Sequence, residues 1–231
     1  MKVAVIMAGL MGCYQVAIEY IMENLIVPND ADVFVLTSRR NYVHASDFNF
    51  NPNNWESPIS ISSSDEKTVA DCFGTRLKHF AYSEDVPDYE EEMLKQQEGL
   101  KQRLLGVKNL EQDYYYDMET QTIRNPVWYL DQFLKLKFLI TEVSGYDMVI
   151  RLRLNQIPTK KYILPEVEKD TIWCSVMDNL FYGSQDVITN VCSNFIDGIG
   201  GYESSLYLNN IKGKNYGLGS DGQFVGFLRQ T

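Results

Sequence analysis

Short apolar runs alternate along this chain with longer stretches whose apolar positions recur every third or fourth residue, the pattern of strands alternating with helices. Lys2 to Ala8 reads as a first strand, apolar on both faces. Gly9-Leu10-Met11-Gly12 turns the chain into a helix from about Tyr14 to Leu25, with Val16, Ile18, Ile21, Met22 and Leu25 at helical spacing. Pro28-Asn29-Asp30 ends that helix, and Ala31 to Thr37 is a second strand. Strand, helix, strand in this order makes the two strands parallel. Leu77 to Tyr82 is a third strand, and Pro87 opens a charged, solvated helical stretch through Leu105.

The strongest helix is Val127 to Val143, started by Asn125-Pro126. Trp128, Phe133, Leu136, Leu139 and Ile140 supply its apolar face, with Gln132 and Lys135 at the edge. It feeds into Tyr146 to Asn155, where Met148, Val149 and Ile150 make the apolar run of a buried central strand. Thr171 to Val176 is a further strand, and Phe181-Tyr182-Gly183 leads to a helix from Gln185 to Phe195. Ser38 to Glu66, rich in Asn, Ser and Pro, reads as a long surface loop of the kind that forms a flap over a site. Residues 197–219 read as a second irregular loop, after which Ser220-Asp221 caps a last helix carrying Phe224, Val225, Phe227 and Leu228. The expectation is one α/β domain over residues 1–231, a mixed, mostly parallel sheet flanked by helices.

Composition narrows what such a domain does. The 231 residues are 45% hydrophobic and 23% charged, ordinary for a soluble globular protein, and the scattered cysteines read as reduced thiols of a cytoplasmic protein. A net charge of −10 argues against a sequence-independent grip on nucleic-acid backbones. The four cysteines are far apart and there are only two histidines, so a Cys/His zinc site has little to work with. Lys2 and the run after it have something of a signal sequence, but one lysine and about nine apolar residues fit a buried parallel strand better. No segment has the roughly 18 apolar residues of a membrane span.

The candidate chemistry gathers at strand ends. Arg151 and Arg153 lie two apart, on one side of the central strand, and Asn155 completes the spacing. Guanidiniums at the end of a buried strand call for an anion or a carboxylate, and that end is where open α/β sheets bind ligands. The Gly9–Gly12 turn can bring backbone N–H groups to a phosphate or can be a plain tight turn, since a full G-x-G-x-x-G is missing. Arg39 and Arg40 follow the second strand, facing either a nucleotide or solvent. Asp30 and Asp32 spell D-x-D, but at the start of a strand, which is the wrong end for a site.

The ordered set of motifs resembles a loose family of viral and bacterial glycosyltransferases of the GT-A type. Its pieces are a first strand ending in a small-residue turn and a second strand D-x-F-x-x-T (Asp32, Phe34, Thr37). A segment YD-h-h-h-R-x-R follows (Tyr146, Asp147, Arg151, Arg153), and then D-x-h-h-h-G from Asp178 to Gly183. An acidic residue, Asp221, opens the last helix. The resemblance spans about residues 3 to 228 and implies a single GT-A domain, whole or part of a longer multi-transferase chain. It implies sugar transfer from a nucleoside-diphosphate donor, UDP favoured, to a glycan or protein-linked glycan, in the host cytoplasm for a viral chain.

The same resemblance implies Mn²⁺ or Mg²⁺, with Asn155 in the metal position that an aspartate usually holds; an amide is the poorer hard-cation ligand. Ala8, Gly9, Leu10, Tyr14, Arg39, Gln132, Lys135, Arg151, Arg153 and Asn155 are the implied donor-binding residues. Asp178 and Asp221 are the implied catalytic carboxylates. The alternative is a non-catalytic protein that binds sugar nucleotide or glycan on a GT-A-like fold, favoured by the Asn155 departure. A hydrolase has no G-x-S-x-G, H-E-x-x-H or Cys/His pair to support it.

Overall fold

Strand β1 (Val3–Ala8) is buried at every position, which is why it carries no polar residue: a parallel strand covered on both faces has no solvent side. The structure, a computed structural model, describes residues 1–9, 14–44, 58–63, 66–104, 126–153, 158–165, 170–174 and 180–194. In chain order, β1 is followed by α1 (Tyr14–Ile21), β2 (Asp32–Thr37), β3 (Arg40–His44) and β4 (Pro58–Ser63). Next come α2 (Glu66–Phe73), β5 (Leu77–Tyr82), α3 (Tyr89–Leu104), α4 (Pro126–Leu139) and β6 (Met148–Leu152). The last elements are β7 (Ile172–Cys174), β8 (Leu180–Ser184) and α5, residues 185–194.

Six strands form one mixed sheet in the order β5-β2-β1-β6-β8-β7. The run β5, β2, β1, β6 is parallel, and β8 lies antiparallel between β6 and β7. Alternate residues of each strand enter opposite cores. Ala4, Ile6, Ala8, Phe34, Leu36, Val149 and Phe181 meet α3, α4 and α5, while Val3, Val5, Met7, Val33, Val35, Ile150 and Tyr182 meet α1 and α2. The α/β expectation therefore holds at the level of a mixed sheet with helices on both faces. Among the described residues, no helix is long and apolar enough to cross a membrane.

Three elements differ from the sequence expectation. Part of the expected 38–66 loop is the antiparallel pair β3 and β4, whose strict Ile/Ser alternation in Pro58–Ser63 is a strand period hidden by a loop-like composition. Helix α2 follows it, buried through Val69 and Phe73 one turn apart. The segment from Leu180 to Ser184, expected as a lead into a helix, is a strand. Gly183 sits inside the sheet where a side chain does not fit: a Cβ there would stand 2.8 Å from the Thr171 carbonyl oxygen. Helix α1 also runs past its expected end, through a π turn (Met22–Ile26) and a 3-10 turn (Val27–Asn29) that place Pro28 in a first turn, where it is tolerated.

The amino edge of the sheet is tied by motif residues. Tyr146 donates its hydroxyl to Asp32 Oδ2 at 2.9 Å, and its ring meets Phe34 edge-on at 5.6 Å. Burial, then the Asp32 hydrogen bond, push the Tyr146 hydroxyl up to about 12. Lys78 pairs with Asp32 and Arg76 with Asp30, at 3.3 and 2.8 Å, while Asp147 accepts the Lys2 backbone N–H at 2.6 Å. Asp30 and Asp32 are thus engaged with cations at the end opposite a ligand crevice, as their place in the sequence suggests. Gly183→Ala is expected to cost roughly 1–3 kcal/mol, because the methyl group must displace backbone. Urea denaturation reads it, and a midpoint unchanged from wild type would mean that the β7–β8 packing yields freely.

Candidate functional site

β2 leaves β1 on one side and β6 joins it on the other, so the strand order reverses between β1 and β6. At such a switch point the two chain exits diverge and leave a crevice beyond the carboxyl ends of the strands. The residues at this edge are Ala8 and Gly9 after β1, Thr37, Ser38 and Arg39 after β2, Ser83 and Glu84 after β5, and Arg153 after β6.

Gly9 turns at φ 115°, a conformation side chains disfavour, and gives its N–H to the Leu36 carbonyl at 3.2 Å. A Cβ on Gly9 would point at α4, 3.4 Å from Gln132 Cγ, so Gln132 closes over the β1 exit. One turn further along α4, Lys135 has no exposed surface at all. Its Nζ lies 2.7 Å from Ser38 Oγ and against Asp131 Oδ2. Asp131 is held from its other side by the Tyr89 hydroxyl, 2.8 Å from Oδ1 and 3.0 Å from the Asp131 carbonyl. Burial first, and the Asp131 charge second, push the Tyr89 hydroxyl far above its ordinary range, so it stays a donor.

Beyond Lys135 the hydrogen bonds run in one direction. An ammonium only donates, so Ser38 Oγ accepts from Lys135 and passes its own proton toward Ser83 Oγ at 3.3 Å. Ser83 donates to Glu84 Oε2 at 3.2 Å, and Glu84 Oε1 accepts the Arg39 backbone N–H at 2.9 Å. Ser38, Lys135 and Asp131 have the spacing of a nucleophile, base and orienting acid. The polarity is wrong for that chemistry: Lys135 faces a carboxylate as an ammonium, and Ser38 receives a proton donor rather than a base.

The two arginines of the central strand differ in setting. Arg151 is paired across the sheet with Ile6 and Phe181 and is fully enclosed, its guanidinium carbon 5.9 Å from the Phe181 ring centroid. Its charge reaches Cys192 of α5, whose thiol burial pushes up to about 12 while Arg151 pulls it down. Arg153, one residue past the strand, is half-buried on the same side. Arg151 therefore lies one layer beneath the edge and Arg153 at it. Arg39 is exposed, paired with Asp85 and stacked at 4.4 Å on the Tyr82 ring. The Asp85 hydrogen bond raises its already high proton affinity. Tyr14 opens α1 as a fully buried core residue on the other face. Thr37 is buried, its hydroxyl without a hydrogen-bond partner among the described residues.

The structure thus brings Ala8, Gly9, Gln132, Lys135 and Arg153 to one edge, with Arg151 below and Arg39 at its rim. Leu10, Asn155, Asp178 and Asp221 lie outside the described residues. Leu180, which pairs with Leu152 at the end of β6, is two residues after Asp178. Sequence reasoning missed Ser38, Ser83, Glu84, Tyr89 and Asp131. Position alone could have flagged Ser83 and Glu84, which follow a strand at the ligand end, and Asp131, four residues before Lys135 on a helix. Among the described residues no group of His, Cys, Asp or Glu converges to hold a metal ion. The carboxylates described near the crevice, Asp131 and Glu84, are committed to Lys135 and Tyr89 and to Ser83 and Arg39. These residues do not fit a divalent cation.

Tyr89→Phe is expected to destabilise the protein by about 1.5–3 kcal/mol, the usual worth of a hydrogen bond to a charged group. Chemical denaturation checks it; a loss under about 0.5 kcal/mol would mean that Lys135 alone satisfies Asp131. No protein-family model, no curated protein and no solved structure matches this chain.

Proposed function

We propose that this chain is a GT-A-type glycosyltransferase that moves a sugar from a nucleoside-diphosphate donor, UDP-sugar favoured, to a glycan or protein-linked glycan. The observation that carries this reading is a division among the motif residues. Asp32, Phe34, Tyr146, Asp147 and Gly183 are accounted for by contacts that build the sheet. Thr37, Arg151 and Arg153 instead lie at or just beneath the carboxyl edge, where the sheet's order reverses. A mixed, mostly parallel sheet flanked by helices is also what the resemblance implies.

In this reading the donor lies across the β1 exit, its nucleotide bordered by Ala8, Gly9, Leu10 and Gln132, with Arg39 at the rim; Tyr14 and Lys135, expected beside the donor, are enclosed in the core and do not touch it. Arg153 meets the diphosphate and Arg151 adds positive potential from beneath, undiluted by water. The acceptor hydroxyl loses its proton to a carboxylate, its oxygen bonds to the anomeric carbon, and the diphosphate leaves with the electrons of the broken C–O bond. Asp178 is the carboxylate for that proton or for orienting the sugar, and Asp221 is the second candidate. Mn²⁺ or Mg²⁺ at Asn155 belongs to the same proposal, but an amide holds such ions weakly, so the leaving charge is assigned first to the guanidiniums. Asn155 in place of an acid is what favours the second reading, a protein that binds sugar nucleotide or glycan without turnover.

Thermal stabilisation against UDP-, GDP-, CMP- and dTDP-sugars, each with and without Mn²⁺, tests the donor, since a ligand of the folded state raises the melting temperature by mass action. A shift with one nucleotide family is expected, and no shift with any donor would overturn the proposal. Asp178→Asn is expected to keep the melting temperature and lose transfer by about 10²-fold or more, as loss of a general base does. Full residual activity would remove Asp178 from the reaction.

A further inference from the structure

Lys135 is a whole cation enclosed in a core that apolar side chains could fill. Its partner Asp131 is half-buried, and the pair holds α4 to the carboxyl end of β2 through Ser38. For holding a helix on a sheet, apolar residues of similar volume serve as well as a buried ion pair or better. The location of the pair says what the charge adds. Asp131 is the helix neighbour of Gln132, the side chain that closes over Gly9 at the β1 exit. Ser38 starts the directed chain through Ser83 to Glu84, which ends on the amide of Arg39 at the β2 exit. The buried ammonium therefore touches the β2 exit directly, through Ser38, and bonds the residue next to the side chain that closes over the β1 exit.

We propose that Lys135 and Asp131 are positioning residues: the pair fixes Gln132 over Gly9 and the Ser38–Arg39 backbone, and so holds the crevice walls ready for the donor. What the crevice receives rests on the glycosyltransferase reading; how its walls are held does not. The two positioned exits are covalent neighbours of buried strands, so disorder in them need not reach the core.

Two variants separate positioning from simple support. Lys135→Met leaves the Asp131 carboxylate without its ammonium and is expected to lower the melting temperature. Lys135→Met combined with Asp131→Asn removes both charges, and the new amide still accepts from Tyr89. The double variant is expected to melt within about 2 °C of wild type, as neutral replacements of buried pairs do. In it, the amides of Gly9 and Arg39 should exchange with deuterium at least about tenfold faster, while those of Val5 and Val33 keep their protection. A double variant that melts as low as Lys135→Met, or one that recovers stability with Gly9 and Arg39 still at wild-type rates, overturns the proposal. UDP-glucose with Mn²⁺ supplies the functional arm. If it shifts the melting temperature of wild type, the double variant should lose that shift, and a retained full shift also overturns the positioning role. If wild type itself gives no shift with any donor, the donor reading fails, and the exchange rates alone decide whether the pair positions the walls.

Discussion

Two parallel strands, β1 and β6, lie side by side with no solvent on either face, and the rest of the molecule answers to that constraint. Strands so placed must have helices above and below, and they are apolar except at Arg151 of β6. Each crossover to the next parallel strand has to cover one of those faces, so α1 and α2 take one and α4 takes the other. Parallel connection also sends every chain exit to the same edge. The crevice is therefore a by-product of burial: the two central strands part company where their continuations turn in opposite directions.

Among the described residues, the fully buried charges lie on one face. Lys135 and Arg151, both without exposed surface, lie on the side of α4 and α5, while the α1 side buries apolar residues and neutral polar groups such as the Thr37 hydroxyl. In a chain of net charge −10, two enclosed cations on one face set a local potential opposite to that of the surface. Asp131 compensates Lys135, and Tyr89 in turn orients Asp131, so the field on that side is built from fixed groups rather than from mobile water. The same layer holds the Cys192 thiol neutral, which makes it a small apolar filler beside Arg151 and not a reactive sulfur.

Much of this was legible before any coordinates. The periods of Val3–Ala8, Leu77–Tyr82 and the 127–143 helix are strong because burial on one or both faces left a regular pattern. Arg151 lies on the expected strand for the same reason, and Arg153 falls one residue past its end. What escaped was short or disguised. Leu180–Ser184 contains a glycine needed for the close approach of Thr171, the residue before β7, and no local pattern shows that contact. Pro58–Ser63 alternates Ile with Ser inside a stretch of loop-like composition. Tyr89 and Asp131 meet across 42 positions, and no local pattern announces a contact between two helices. Lys135 reads in the sequence as a helix-edge residue and, through the resemblance, as a donor contact; that the edge is closed by Ser38 and Asp131 is a tertiary fact.

The knot at the amino edge has an evolutionary side. Tyr146, Asp32 and Phe34 touch one another, and Asp147 accepts from Lys2, so these positions are free to change only together. A descendant that lost the Asp32 carboxylate would have little use for the Tyr146 hydroxyl, and the two would drift as a pair. The opposite edge rests on a separate set of contacts, from Lys135 through Ser38 and Ser83 to Glu84. A lineage could therefore preserve the Asp32–Tyr146 signature indefinitely while its crevice is rebuilt for another substrate or abandoned, and kinship read from that signature would outlast any shared chemistry.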